Sequence, residues 1–189
     1  TRPSSDAGSL LGKAQSTSGV GVQKRTPIVT DPRSRGTHTG QLLASGSFWV
    51  PARQDLDTML SKIDASVLSD IIAIKGPYAT RYGPGFSFLD ADILGSPRFD
   101  DGPEWHGRTS LNFQKNCEQW YGRQTLFGGS TDWGMRVGYG HRTGNDYNDG
   151  DGNGIPSSYN SRDVDSTLGF AVSADSHIEF SYLRLDQAD

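Results

Sequence analysis

Lys62-Ile63-Asp64-Ala65-Ser66-Val67-Leu68-Ser69-Asp70-Ile71-Ile72-Ala73-Ile74-Lys75-Gly76-Pro77-Tyr78-Ala79-Thr80-Arg81-Tyr82-Gly83-Pro84-Gly85 is the stretch on which the reading of this chain turns. Asp64 suits a helix cap, and Asp64 to Ser69 suits one or two helical turns with Val67 and Leu68 facing inward. Ile71-Ile72-Ala73-Ile74 follows as a short buried strand. Gly76-Pro77 closes it, since Pro has no N–H for a strand ladder and Gly accepts backbone geometry denied to other residues. Tyr82-Gly83-Pro84-Gly85 reads as a turn, and Phe86 to Ile93 as a further strand.

Upstream, Thr1 to Gln23 is rich in Ser, Gly and Thr, with one weak helical signal from Asp6 to Ala14 and Asp6 as its cap. Gln41-Leu42-Leu43-Ala44 and Ser47-Phe48-Trp49-Val50 flank Ser45-Gly46 and read as a hairpin. These elements suit a small α+β unit. It ends near Gly95 to Gly107, a polar run holding Pro97 and Pro103.

Downstream of Gly107 the grammar becomes that of long alternating strands. In Trp133-Gly134-Met135-Arg136-Val137-Gly138-Tyr139-Gly140 large apolar residues take the odd positions and Gly or Arg the even ones. Period-2 alternation sends the two sets to opposite faces. Val164, Leu168 and Phe170 alternate likewise with Asp165, Thr167 and Gly169, and Ile178, Phe180 and Tyr182 with His177, Glu179 and Ser181. Arg108 to Gln114 and Glu118 to Gly128 follow the rule more loosely. Five strands are expected, each of roughly the 9–11 residues that cross a membrane when tilted. Gly129-Ser130-Thr131-Asp132 and Ala174-Asp175 are short connections, whereas Arg142 to Ser161 is long and rich in Gly and Asp. Short turns on one side and long loops on the other, with aromatics near strand ends, suit an outer-membrane barrel. The same alternation also builds soluble sandwiches whose apolar face meets a second sheet.

Composition narrows the classes. The chain has 189 residues, with 18 Lys plus Arg against 22 Asp plus Glu, so its net charge of −4 supplies no basic footprint for nucleic acid. The single cysteine, Cys117, excludes an intrachain disulfide framework and any multi-cysteine metal site. With 33% apolar residues, no stretch approaches the roughly 18 that a membrane helix needs. His38, His106, His141 and His177 share no ligand spacing, and no catalytic constellation is present, so no enzyme activity and no cofactor are expected.

The quoted stretch resembles the signature of the TonB-dependent receptor plug, in which an Ile-Asp helix turn leads to a strand ending in Arg/Lys-Gly-Pro and then to Tyr-Gly. Arg35-Gly36 resembles the plug's Arg-Gly element, and Ser45-Gly46 stands where the family usually has Asp-Gly. A plug followed by long alternating strands is also the family's domain order. After Tyr-Gly the family commonly carries a Gly-Gly pair and ends the strand in Thr-Lys, where this chain has Phe86-Ser87-Phe88-Leu89-Asp90-Ala91-Asp92-Ile93-Leu94.

The resemblance implies an α+β plug domain followed by antiparallel β-strands of an incomplete transmembrane β-barrel. The expected division is residues 1–23 as lead-in, 24–95 as the remainder of the plug, 96–106 as linker and 107–189 as the first five or so barrel strands. Family barrels have about 22 strands, and an open sheet in lipid leaves backbone groups unpaired. The chain is therefore expected to be an N-terminal fragment. The implied function is energised uptake of a scarce, bulky solute (metal-siderophore, cobalamin or glycan class) across the bacterial outer membrane. The implied partners are the TonB energy-transducing complex, outer-membrane lipid and a small-molecule or metal-complex solute, with no nucleic acid.

Arg35, Gly36, Lys75, Gly76, Pro77, Arg81, Tyr82 and Gly83 are the expected structural and coupling positions of the plug. The loop after the hairpin resembles an outward-facing plug apex, where Trp49, Arg53 and Gln54 offer a stacking surface, a cation and an amide to solute. Asp149-Gly150-Asp151-Gly152-Asn153-Gly154 matches the opening of a calcium loop through Asp149, Asp151 and Asn153. The twelfth position, where a bidentate Glu belongs, is Asn160. The competing reading is a soluble or surface β-rich ligand-binding module. The two differ over whether Met135, Val137, Phe170, Ile178 and Phe180 lie bare or beneath a second protein layer.

Overall fold

The structure is a computed structural model that describes residues 4–13, 19–39, 41–49, 56–83 and 87–188. The chain divides into two compact units, Thr1–Leu94 and Gly95–Asp189. Among the described residues no helix is long and apolar enough to cross a membrane.

The first unit opens with helix α1 (Ala7–Lys13). Asp6 caps it, accepting the Ser9 N–H at 2.7 Å and the Ser9 hydroxyl at 2.9 Å, and is itself buried. Asp6→Ala is expected to cost about 1 kcal/mol, the usual value of a lost N-cap. The check is a lower denaturant midpoint for this unit in the intact protein; an unchanged midpoint rejects it. Strands β1 (Val20–Thr26), β2 (Val29–Ser34) and β3 (Thr37–His38) form an antiparallel sheet in that order. Buried Asp31 accepts from Arg25 at 3.0 Å and from Arg33 at 2.9 Å, so its carboxylate is paired from both neighbouring positions on the sheet.

The second sheet holds β4 (Gln41–Ala44), β5 (Ser47–Phe48), β6 (Leu68–Lys75) and β7 (Ser87–Ile93), ordered β5-β4-β7-β6. Strands β4 and β5 form the expected hairpin, with Ser45 at φ 46° and Gly46 at φ 78°, the left-handed pair that a tight two-residue hairpin turn demands. Helix α2 (Leu56–Lys62) precedes a 3-10 turn at Ala65–Val67, capped by buried Asp64, which accepts the Ser66 N–H at 2.7 Å. Phe88, Ile74 and Leu43 share one face with Ala79 and Tyr82, while Leu42, Leu89 and Ala91 are buried on the other.

Two expectations for this unit change. Residues Ile71 to Ile74 are not a fully buried strand. They belong to β6 at the sheet edge, where Ile74 is buried in the cluster with Leu43, Ala79 and Phe88, while Ile72, on the same face opposite Asp90, lies outside that cluster and is exposed. Tyr82 does not open a turn but ends a 3-10 helix, Gly76–Tyr82, that starts at Gly76 (φ 72°) with Pro77 in its first turn. Residues 84–86 of the expected turn lie outside the described residues, as do Ala14 and Val50.

The second unit is a five-stranded antiparallel meander. Its strands are β8 (Glu104–Gln114), β9 (Gln119–Gly129), β10 (Trp133–Gly144), β13 (Tyr159–Ser173) and β14 (Ser176–Ala188). Within the long connection, β11 (Tyr147–Asn148) and β12 (Gly154–Ile155) make a small hairpin. All five expected strands are present, and four are longer than their sequence signals, while β9 keeps the expected length of 11 residues shifted by one position. Strand β8 starts at Glu104, inside the expected linker 96–106, and β1 crosses the expected boundary after Gln23. Polar ends of strands carry no apolar alternation, so only ladder pairing reveals them.

Candidate functional site

The meander has one polar and one apolar face, and cross-strand pairing assigns every residue to one or the other. On the polar face Arg123 of β9 reaches both Asp163 and Asp165 of β13, and Arg136 Nε lies 3.5 Å from Asp165. Arg123, Asp163 and Asp165 are buried, Arg123 and Asp163 at 1% and 2% exposure, Arg136 is partly buried, and Arg142, Tyr121 and Tyr159 are buried on the same face. Glycine makes the room. Gly138 pairs with Asp165 and Gly140 with Asp163, and a Cβ at either would collide with the carboxylate opposite. The result is a compact charge network in which each carboxylate meets a guanidinium across one strand.

The apolar face carries Trp105, Leu111, Phe113, Trp120, Leu126, Val137, Tyr139, Leu168, Phe170, Ile178, Phe180 and Tyr182, all exposed. Phe180 is 64% exposed and Val137 42%, and no layer covers them among the described residues. Met135 shares this face and is half-buried. An apolar surface of this extent is abnormal in water.

The top of the apolar band runs diagonally. On β14 it ends at Tyr182, followed by the exposed pair Arg184 and Asp186. Tyr182 pairs through Ser166 and Val137 with Leu126, whereas the aromatic pair Phe113–Trp120 on β8 and β9 sits three ladder rows higher. Three rows are six residues, or about 20 Å along the strands against about 19 Å across four strand spacings. The band is thus inclined to the strands as a horizontal slab cuts strands tilted by about 45°, at the upper end of the range for membrane barrels.

In the first unit the expected positions fall on two segments, the β2–β3 turn and the run from the end of β6 to Gly83, and Arg35 and Lys75 both approach Gly19. Arg35 (φ 50°) and Gly36 (φ 83°) form the β2–β3 turn, with the Arg35 N–H donating to the Gly19 carbonyl at 2.8 Å and its side chain exposed. Arg81 is exposed and donates to the Tyr78 hydroxyl at 3.4 Å, and Lys75 ends β6 half-buried. Gly83 has φ 123°, a backbone geometry that strains other residues, and a Cβ there would come within 3.1 Å of the Phe48 ring. Trp49 is half-buried, its N–H bonded to the Leu42 carbonyl at 3.1 Å. Arg53 and Gln54 lie outside the described residues.

The calcium-like stretch closes the β11–β12 hairpin. Asp149 accepts the N–H groups of Asp151 at 2.9 Å and Asn153 at 2.8 Å, and the Asn153 amide at 3.1 Å. Its carboxyl is held below the ordinary value, first by the Asn153 side chain and then by the Asn153 N–H. Asp146 is lowered likewise by the N–H groups of Ser157 and Ser158. A depressed folded-state value means that this stabilisation is present at neutral pH and lost as pH falls through the folded-state pKa. The Asp151 and Asn153 amide resonances are expected to titrate with a midpoint below that of Asp in an unstructured peptide; a midpoint at the peptide value rejects the cap. Among the described residues no group of three or more His, Cys, Asp or Glu side chains could hold a metal ion.

The sequence reading missed the Arg123–Asp163–Asp165 network. The signal existed, since Arg123, Arg136, Asp163 and Asp165 all sit at polar parity, but only strand register brings them together.

A small α+β unit followed by a sheet with a charged inner face and a bare, diagonally banded apolar face is the architecture of a plug and barrel wall. No family model and no curated protein matches the sequence. Solved structures do match. The chain superposes on the copper transporter OprC with a TM-score of 0.80 at 24% identity, covering 98% of this chain and 28% of that one. On the FrpB iron transporter from Neisseria meningitidis (F3-3 variant) the TM-score is 0.76 at 14% identity, covering 98% and 30%. On the ferric enterobactin receptor PfeA the values are 0.66 and 17%, covering 98% and 31%. The chain has the fold of a TonB-dependent outer-membrane receptor's plug with part of its barrel wall, and it spans under a third of the length of these structures.

Proposed function

We propose that this chain is the plug and adjoining barrel strands of a TonB-dependent receptor in the bacterial outer membrane. The observation that carries the reading is the bare apolar face of the meander, set back to back with a buried charge network. A soluble binding module would need a covering layer over Val137, Phe170, Ile178 and Phe180. Strands β8 and β14 are each bonded on one side only in this sheet, and in lipid their free edges require further strands.

The function is uptake without chemistry on the solute, energised by the TonB complex acting on the plug. The solute class is a scarce, bulky compound, and the copper and iron names among the structural neighbours favour a metal-containing one over a glycan or cobalamin. Arg35 and Arg81, two of the exposed cations of the first unit, are the candidates for ion pairing at rest, and Trp49, Arg53 and Gln54 are the solute-facing candidates. The test is fractionation of cells expressing the full-length protein, followed by uptake of radiolabelled copper and of ferric enterobactin with and without an intact TonB system. Outer-membrane residence with TonB-dependent accumulation of either probe is expected. A water-soluble, detergent-independent protein overturns the reading.

A further inference from the structure

Residues 95–99 precede the first long strand, yet they touch all five strands of the meander at the end carrying the short turns. Ser96 donates its N–H and its hydroxyl to the Glu179 carboxylate of β14, at 2.7 and 2.9 Å. Pro97 lies across β9 and β10, where a Cβ on Gly134 would collide with its carbonyl oxygen and a Cβ on Gly129 would come within 3.0 Å of it. Arg98 donates to the Gly169 carbonyl of β13 at 3.0 Å, and Gly169 has no room for a side chain beneath Ser96. Phe99 stacks on His106 of β8 with ring centroids 5.3 Å apart, and His106 stacks in turn on Phe127 at 5.3 Å. The Phe99 N–H also donates to the Ser130 carbonyl at 3.5 Å, and the Thr131 hydroxyl to the Phe99 carbonyl at 3.4 Å.

We propose that residues 95–99 are a mechanical stop, a strap that receives tension arriving through Leu94 and spreads it over the wall before it reaches β8. The inference rests on the reading above, in which the plug is pulled. A strand loaded at its end is peeled from its neighbour one ladder bond at a time, so tension delivered directly to Glu104 would unzip β8. The strap is anchored to separate strands by a carboxylate, a carbonyl, an aromatic stack and a glycine-lined seat, which load together rather than in sequence. Glu179 and Gly134 are positioning residues in this device, one as acceptor and one as cleared space.

The test is to pull the full-length protein, inserted in a lipid bilayer, from a handle ahead of α1 with an atomic force microscope. In the wild type, chain release is expected to stop at Gly95. In the Glu179→Ala/Arg98→Ala double variant release is expected to run past Gly95 to Glu104 and on into β8, lengthening the released contour by more than about 30 Å at roughly 3.3–3.6 Å per residue. Gly134→Ala is expected to give the same lengthening without removing any polar partner. A shift in detergent-gel mobility on heating confirms that each variant is a folded barrel before pulling. Equal released lengths in inserted wild type and variants overturn the strap and leave the receptor reading intact. Failure of the wild type to insert overturns that reading and with it the load the strap is proposed to carry.

Discussion

Arg123→Ala destabilises the barrel wall by about 3–5 kcal/mol, the cost of removing one partner from a buried ion pair and leaving the other charged. Two carboxylates, Asp163 and Asp165, lose their shared guanidinium at once, and both are nearly inaccessible to water. Arg136 Nε, 3.5 Å from Asp165, stays as a cation beside that carboxylate. Urea unfolding of the full-length protein in detergent, followed by tryptophan fluorescence, measures the loss. A variant with Arg123→Met and Asp163→Asn together should recover part of it, because one buried carboxylate charge is removed with the guanidinium and Asp165 keeps Arg136 beside it. A loss below about 1 kcal/mol for Arg123→Ala, the ordinary value of a surface ion pair, would show that the network is solvated.

Val137→Arg tests the opposite face, at a cost of about 2–4 kcal/mol if the position lies near the bilayer midplane. Val137 lies on the apolar face between Met135 and Tyr139, while Thr143 stands beyond His141 at the polar margin. Thr143→Arg should therefore cost only about 0–1 kcal/mol, the value near the interface. Depth dependence is the discriminating feature. A water-facing sheet predicts little change at either position, and a sheet covered by protein predicts failure to fold at Val137 without any requirement for lipid. Folding yields into vesicles, read by mobility on unheated gels, separate the three outcomes.

The strands of the meander were legible because period-2 alternation is a local property. Trp133 to Gly140 declares its two faces whatever it pairs with, and the structure places Gly134, Arg136, Gly138 and Gly140 on the polar side as expected. Caps were legible for the same reason, since Asp6 and Asp64 act on donors within three residues. The half-exposed edge position of β6 was not legible, because four apolar residues in a row look alike in a buried and an edge strand, and only sheet order separates them. The solute-facing candidates gained least, since Arg53 and Gln54 lie outside the described residues.

What the amino-acid sequence determined by itself was the pair of grammars, an α+β unit and then alternating strands, with the plug signature that joined them into one architecture. Register was decided only in three dimensions. It set Gly138 opposite Asp165 and Gly140 opposite Asp163, brought Arg123 to both carboxylates, and inclined the apolar band across the strands. It also folded residues 95–99, read from sequence as a polar linker, onto Gly129, Gly134, Gly169 and Glu179. The physical reason is that hydrophobic periodicity and capping act over a few residues. Charge pairing and close backbone approach depend on residues that are 40 or 83 positions apart in the chain and become neighbours only when the strands pair.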